Sequence, residues 1–154
     1  MTEAKLPDNL PQWMKDHTHK YLSTGGKEGH MYTITQPGRP HLTVPSLLLT
    51  TKGRKSGDKW LFPLFYGEHG KSYFVIASKG GAPEHPGWYR NLRAHPDVEI
   101  QVGTKKMKAK ARTASGTERA ELWKKALVFW PPYADYQVKA GKREIPVVVL
   151  DPAG

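Results

Sequence analysis

Three stretches of this 154-residue chain gather residue types that can hold an anion or a flat polar ring. The first is Thr50-Thr51-Lys52-Gly53-Arg54-Lys55-Ser56-Gly57, with three cations, one hydroxyl and two glycines in its last six residues. Glycines let backbone N–H groups converge and Lys and Arg add charge, a combination that binds phosphate. A solvated basic hairpin tip accounts for the same run. The second is Ala77-Ser78-Lys79-Gly80-Gly81-Ala82-Pro83-Glu84-His85-Pro86-Gly87-Trp88-Tyr89-Arg90-Asn91-Leu92. It leaves a strand and enters a helix, and a helix start suits an anionic or polarised heterocycle. Trp88 could stack on such a ring or pack in the core. The third, Trp130-Pro131-Pro132-Tyr133-Ala134-Asp135-Tyr136, sets two tyrosines at i and i+3, on one helical face. A phenol there can donate a hydrogen bond or a proton to a carbonyl, or simply sit at the surface.

Other chemistries find no support. GxxxxGK[ST], GxGxxG, GxSxG and HExxH are all absent. The chain has no cysteine, which excludes disulfides, thiolate metal sites and a cysteine nucleophile and suits a reducing cytosol. No metal site is expected. His17-x-His19 lies in a polar stretch and reads as solvated. Lys+Arg 24 against Asp+Glu 14 gives a net charge of +10, which predicts an anionic partner. No apolar run approaches the roughly 18 residues of a membrane span, and the N-terminus lacks a signal-peptide core. A cytoplasmic protein is expected.

The elements that must position these residues are mostly strands. Alternation or β-rich composition predicts strands at 42–50, 60–66, 73–78, 98–102, 106–112 and 145–150. Lys106, Lys108, Lys110 and Arg112 share one face of the fifth, with Met107, Ala109 and Ala111 on the other. Helices are predicted at 10–22, 86–94, 117–129 and 132–140. Ser115-Gly116-Thr117-Glu118 reads as a capping box for the third, with Leu122, Trp123, Ala126 and Leu127 as its apolar stripe. The prolines at 37, 40 and 45 read as a loop or irregular edge strands. Six short strands with few intervening helices give a mainly β, α+β chain folded as an antiparallel barrel. Residues 1–30 form an N-terminal helical segment and 31–154 one barrel domain.

Taken together, ThrThrLysGlyArgLysSerGly, ProLeuPheTyr (63–66), AlaSerLysGlyGlyAlaProGluHisProGlyTrpTyrArgAsnLeu, HisProAspValGluIleGlnValGly, AlaSerGlyThrGluArgAlaGluLeuTrp and TyrAlaAspTyrGlnValLysAlaGlyLysArgGluIlePro appear in an order that resembles the deazaflavin-dependent nitroreductase family, over roughly residues 40–152. The resemblance implies a split β-barrel related to FMN-binding oxidases. It also implies hydride transfer from reduced coenzyme F420 to an electron-poor acceptor: a quinone, an activated enone or a nitroaromatic. Arg54, Lys55 and Ser56 would hold the cofactor phosphate and tail. Trp60, Leu61, Phe62, Pro63, Leu64 and Phe65 would line the cofactor groove. Ile76, Ala77, Ser78 and Lys79 would border the ring. Gly87, Trp88, Tyr89, Arg90 and Asn91 would close over ring and tail. Tyr133 would sit at the acceptor pocket and touch the cofactor, with Tyr136 and Ser78 nearby as further catalytic candidates. Trp60 stands where much of the family carries a basic residue, which leaves Lys59 and Lys52 as the neighbouring cations.

Charge and resemblance agree, because this cofactor's phosphodiester and oligoglutamate tail make it strongly anionic. The cofactor supplies hydride chemistry and the protein supplies position and exclusion of water. Residues 10–30 and 130–137 are expected to form a lid over the acceptor. Leu10, Trp13 and Met14 offer a second use of that helix, as a peripheral membrane contact. Rival readings are an FMN-dependent oxidoreductase on the same barrel, a non-catalytic deazaflavin carrier and a nucleic-acid binder. The basic strand lacks the interleaved aromatics that the last would need. A monomer and a homodimer both suit the sequence.

Overall fold

The computed structural model describes residues 6, 10, 12–34, 42–55 and 57–153. Among the described residues seven strands and four helices follow one another as α1 (Gln12–Ser23), β1 (Met31–Ile34), β2 (Leu42–Lys52), β3 (Lys59–His69), β4 (Ser72–Ile76), α2 (Gly87–Ala94), β5 (Asp97–Val102), β6 (Lys105–Thr113), α3 (Gly116–Phe129), α4 (Tyr133–Ala140) and β7 (Val147–Pro152). A single 3₁₀ turn at Lys79–Gly81 lies between β4 and α2.

Six of the strands close on themselves in the order β2-β3-β4-β7-β6-β5, with β5 returning to β2. Every pairing is antiparallel, and closure is made by Leu47 opposite Val102 through Thr50 opposite Glu99. A closed barrel leaves no edge among its own strands. β1 is the addition that periodicity did not predict. Its four residues pair with Leu42–Pro45, the stretch of β2 that precedes the β3 pairing. The predicted loop prolines 37 and 40 lie outside the described residues.

Alternation in the strands divides the apolar residues into two layers. Leu47, Leu49, Tyr66, Val75, Val98, Ile100, Val148 and Leu150 point inward and form the barrel core, together with Trp88, Tyr89 and Leu92 of α2. Phe74, Ile76, Val147 and Val149 point outward and are covered by Leu122, Ala126, Trp130, Tyr133 and Ala140 of the α3–α4 segment. A smaller outer cluster joins Tyr21 of α1 to Leu48 and Leu61. The predicted face of β6 is observed, with Lys106, Lys108, Lys110 and Arg112 exposed.

Two local expectations are corrected. Ser115 stands at the start of α3 but makes no side-chain cap, and Glu118 does not reach back to it. Arg112 takes the Glu118 carboxylate through two nitrogens, and His69 adds a third contact at 3.2 Å. A bidentate charge-assisted pair outcompetes a neutral cap. His17 is not solvated. It is 6% exposed, and its Nε2–H donates to the Gly29 carbonyl at 2.6 Å, with Ser46 Oγ 3.1 Å away. His19 is exposed.

Candidate active site

The β2–β3 hairpin is closed by Gly53 N–H to Asp58 O at 2.6 Å and Gly57 N–H to Gly53 O at 2.9 Å. Arg54 and Lys55 are exposed on it, and Ser56 lies outside the described residues. Arg54 Nη1 donates to Asn91 Oδ1 at 2.8 Å, and its backbone N–H donates to the same oxygen at 3.3 Å. Asn91 is buried and donates in turn to Thr51 Oγ1 at 3.2 Å. One amide on α2 therefore fixes the hairpin against the barrel, and it orders an arginine that would otherwise sample many rotamers. Of the two neighbouring cations, Lys59 is paired with Glu99 at 3.3 Å. Lys52 is exposed with no carboxylate partner among the described residues, so it is the one left to add charge beside Arg54 and Lys55.

Pleating splits the run 60–65. Trp60, Phe62 and Leu64 share the inward face, with Phe62 6.5 Å from the Trp88 ring. Leu61, Pro63 and Phe65 share the outward one. Leu61 lies by Tyr21, and Phe65 lies 5.7 Å from the Trp130 ring. Trp88 and Tyr89 are 6% and 4% exposed, and the Tyr89 hydroxyl is 2.9 Å from Thr113 Oγ1. Both belong to the barrel core, while Gly87 and Arg90 on the same helix are exposed.

Ile76 and Ala77 are buried at the end of β4, and Ser78 is half-buried. Lys79 adopts φ +48°, a left-handed conformation that costs a residue with a side chain about 1 kcal/mol or more. Its ammonium is exposed, 3.3 Å from Glu84. Gly81 follows at φ +84°, where an added Cβ would stand 2.7 Å from the Tyr136 carbonyl oxygen. The turn is thus pressed backbone to backbone against α4.

On α4, Tyr133 and Tyr136 face each other as predicted, with ring centroids 6.0 Å apart. Tyr133 is 5% exposed and walled by Trp123 and Phe129. Burial, and secondarily Tyr136, raises its pKa well above the ordinary phenol value. The group is therefore a neutral hydroxyl across the physiological range, and it has no hydrogen-bond partner among the described residues. The wall is continuous from Phe65 through Trp130 to Tyr133 and Tyr136.

A separate cleft of about 740 Å³ opens elsewhere, between Lys20, Gly29, His30, Tyr66, Tyr73 and Lys105. It shares no residue with the predicted set. Among the described residues no group of three or more His, Asp or Glu is placed to hold a metal ion. No helix there is long and apolar enough to cross a membrane.

Sequence reasoning missed one residue that organises this region. Arg143 Nε donates to Ala82 O at 2.9 Å, Nη1 to Ala77 O at 3.0 Å and Nη2 to Ser78 O at 2.7 Å. Nη1 also reaches His85 Nδ1 at 3.1 Å. The Gly-Lys-Arg-Glu run at 141–144 carries no sign of this, since charge runs usually face water.

A closed antiparallel barrel with a cationic hairpin and an aromatic outer wall defines a split-barrel cofactor-binding protein. The chain belongs to the F420H(2)-dependent quinone reductase family, whose profile it matches over residues 13–152. It is accordingly an oxidoreductase whose cofactor is coenzyme F420. It is 40% identical over 142 residues to an F420H(2)-dependent quinone reductase of Mycobacterium tuberculosis, covering 90% of this chain and 89% of that one. Among solved structures it resembles an F420-H2 dependent reductase, FDR-A, at 45% identity and a TM-score of 0.65, over 70% of this chain and 94% of that one. A second, a domain-swapped dimer, matches at 39% identity and a TM-score of 0.66, over 91% of this chain and 98% of that one. The heme storage protein HutZ of Vibrio cholerae shares the fold alone, at 15% identity and a TM-score of 0.54.

Proposed function

We propose that the protein reduces quinones with F420H2, and that the site lies between the Arg54–Lys55 hairpin, the Ala77–Lys79 turn and the Tyr133 wall. The observation that carries this reading is the hairpin held by Asn91. A fixed guanidinium with Lys55 and Lys52 beside it, all turned outward, suits the phosphodiester and carboxylates of the cofactor tail. When bound, the deazaflavin supplies the hydride. Every other duty falls to this chain. Leu61, Pro63 and Phe65 offer the only side chains of their run that face outward, and Trp60 stays on the barrel side. Trp88, in this reading, acts from beneath by filling the barrel under α2 rather than by covering the ring. Tyr133, neutral and without a hydrogen-bond partner among the described residues, is the donor available to a quinone oxygen as charge develops there. Tyr136 and Ser78 flank it.

The register of β5 and β6 speaks against nucleic acid. Lys108 stands opposite Glu99 and Lys110 opposite Asp97, while Arg112 is held by Glu118 and Asp151. Arg112 is thus answered within the protein and two of the three lysines stand across from acidic residues, which weakens the stripe's pull on phosphates. The domain-swapped relative supports a homodimer for this chain. Of the three residues expected to make a peripheral membrane contact, Leu10 is buried and Met14 half-buried, so Trp13, 45% exposed, is the one of them that α1 presents for it.

The test is a fluorescence titration with oxidised F420 and, in parallel, FMN, at low and high salt. Tight F420 binding that weakens with salt, with little FMN binding, is expected. Turnover of menadione with F420H2 should follow, with enones and nitroaromatics screened beside it. Tyr133→Phe should slow quinone turnover, and an unchanged rate with every acceptor removes Tyr133 from the site. FMN preference moves the protein to the sister flavin class, and binding without turnover makes it a carrier.

A further inference from the structure

Arg143 and Gln137 form a chain of contacts that reaches from α4 to the cofactor turn. Gln137 lies on α4, one residue beyond Tyr136. Its Nε2 donates to the Arg143 carbonyl at 2.8 Å, and its Oε1 accepts the Ile145 N–H at 2.9 Å. A single amide thus pins the strap between α4 and β7 at two points. From that strap the Arg143 guanidinium binds the carbonyls of Ala77, Ser78 and Ala82 together with His85 Nδ1. Only a planar five-donor fork can satisfy acceptors spread in this way; a lysine offers one nitrogen.

The consequence for Ser78 and Lys79 follows from peptide geometry. None of the described peptides is cis. In a trans peptide the N–H points opposite to the preceding C=O. With the Ala77 and Ser78 carbonyls drawn onto Arg143, the N–H groups of Ser78 and Lys79 are directed away from it. Neither is bonded within the described residues, and successive amides of this kind form a concave donor pair. Ser78 is right-handed and Lys79 left-handed, the backbone sequence such a pair requires. The left-handed Lys79 is unfavourable on its own, so something must hold it. Arg143 does so from one side, and the Gly81 contact with the Tyr136 carbonyl does so from the other.

We propose that Arg143 and Gln137 are positioning residues that set the Ala77–Lys79 turn against α4, fixing two backbone donors toward the cofactor at a set distance from Tyr133. This rests on the placement of the site argued above. It predicts that the clamp governs cofactor affinity more than acceptor affinity, since the acceptor wall of Trp130, Tyr133 and Tyr136 is held by its own packing.

The experiment compares wild type, Arg143→Lys and Gln137→Met by three readouts: amide hydrogen exchange of residues 77–85 without cofactor, F420 titration, and steady-state kinetics with menadione. Arg143→Lys should speed exchange of the 77–85 turn and weaken F420 binding by about tenfold or more, the scale on which a misplaced site loses function. The KM for F420H2 should rise with the KM for menadione held. Gln137→Met should move the same readouts by less. F420 affinity within twofold of wild type in both variants, with unchanged exchange, overturns the clamp. If Arg143→Lys does not fold, Gln137→Met decides by the same criteria. If wild type fails to bind F420, the placement of the site falls, and exchange of the turn alone judges the clamp.

Discussion

The barrel carries two helical attachments on its outer surface, and they are fastened by opposite means. The α3–α4 segment is held by apolar contact: Leu122, Ala126, Trp130 and Tyr133 lie on Phe74, Ile76, Val147 and Val149. The α1 helix buries few aliphatic side chains and is held by directed bonds. The Tyr21 hydroxyl lies 3.0 Å from Ser46 O and 3.1 Å from Gln101 O, and it accepts the Gly103 N–H at 2.6 Å. His17 and Ser46 converge on the Gly29 carbonyl. Behind them Gly26, at φ +90°, passes so close to the Gly103 carbonyl that an added Cβ would overlap it. One attachment is thus an extension of the core, and the other is a latch. Non-directional burial tolerates small shifts and ignores pH, whereas a hydrogen-bonded latch is weakened when one partner is removed or when a buried ring in it must take a charge.

Three measurements would sharpen or break this contrast. The largest effect belongs to the apolar wall. Leu122 is fully buried, so Leu122→Ala should cost about 2–5 kcal/mol in urea unfolding of the whole chain. A loss below about 1 kcal/mol would mean that α3 is no part of the core. Tyr21→Phe comes next, at about 1–3 kcal/mol, because it takes the acceptor from the Gly103 N–H and the one proton that the Ser46 and Gln101 carbonyls share. Its signature is local: faster amide exchange in α1, with α3 unchanged. Equal acceleration in both helices would show that they open together. The smallest effect is a pH dependence of the latch. Burial holds the His17 pKa below 6.5, offset in part by the Gly29 hydrogen bond. The folded chain then binds the proton less readily than the unfolded one. The stabilisation is complete above about pH 6.5 and is lost as the pH falls below it. Protection of α1 against exchange should therefore drop between pH 7 and pH 5 relative to α3, and a parallel response would dismiss His17 as its cause.

Much of this molecule can be read from its residues, and the gaps have physical reasons. The six barrel strands announce themselves by alternation, as Val98-Glu99-Ile100-Gln101-Val102 shows, or by β-rich composition, as Val147-Val148-Val149-Leu150 shows, and the four helices fall within a residue or two of their predicted ends. β1 escapes because four residues are too few to display a period. Its place is set by the start of β2, which nothing local encodes. The cationic hairpin could be seen, but not the Asn91 side chain that fixes it. The run 60–65 reads as one lining surface, but pleating turns every second of its side chains into the barrel. His17 reads as solvated in its polar stretch, and nothing in the run 141–144 marks Arg143 out. Each is defined instead by carbonyl oxygens from another part of the chain, and carbonyls carry no mark in a sequence.

Barrel closure also bears on how fast the native state is reached. Closure joins Leu47 to Val102, and the last strand brings Val148 back to Val75, so the contacts that complete the core are distant along the chain. Each requires a long loop to be ordered before its burial is gained. Chains dominated by such pairings fold in milliseconds to seconds, not microseconds. Until β7 docks, the apolar strand Val147-Val148-Val149-Leu150 has no cover, and that interval is when newly made chains are most exposed to one another.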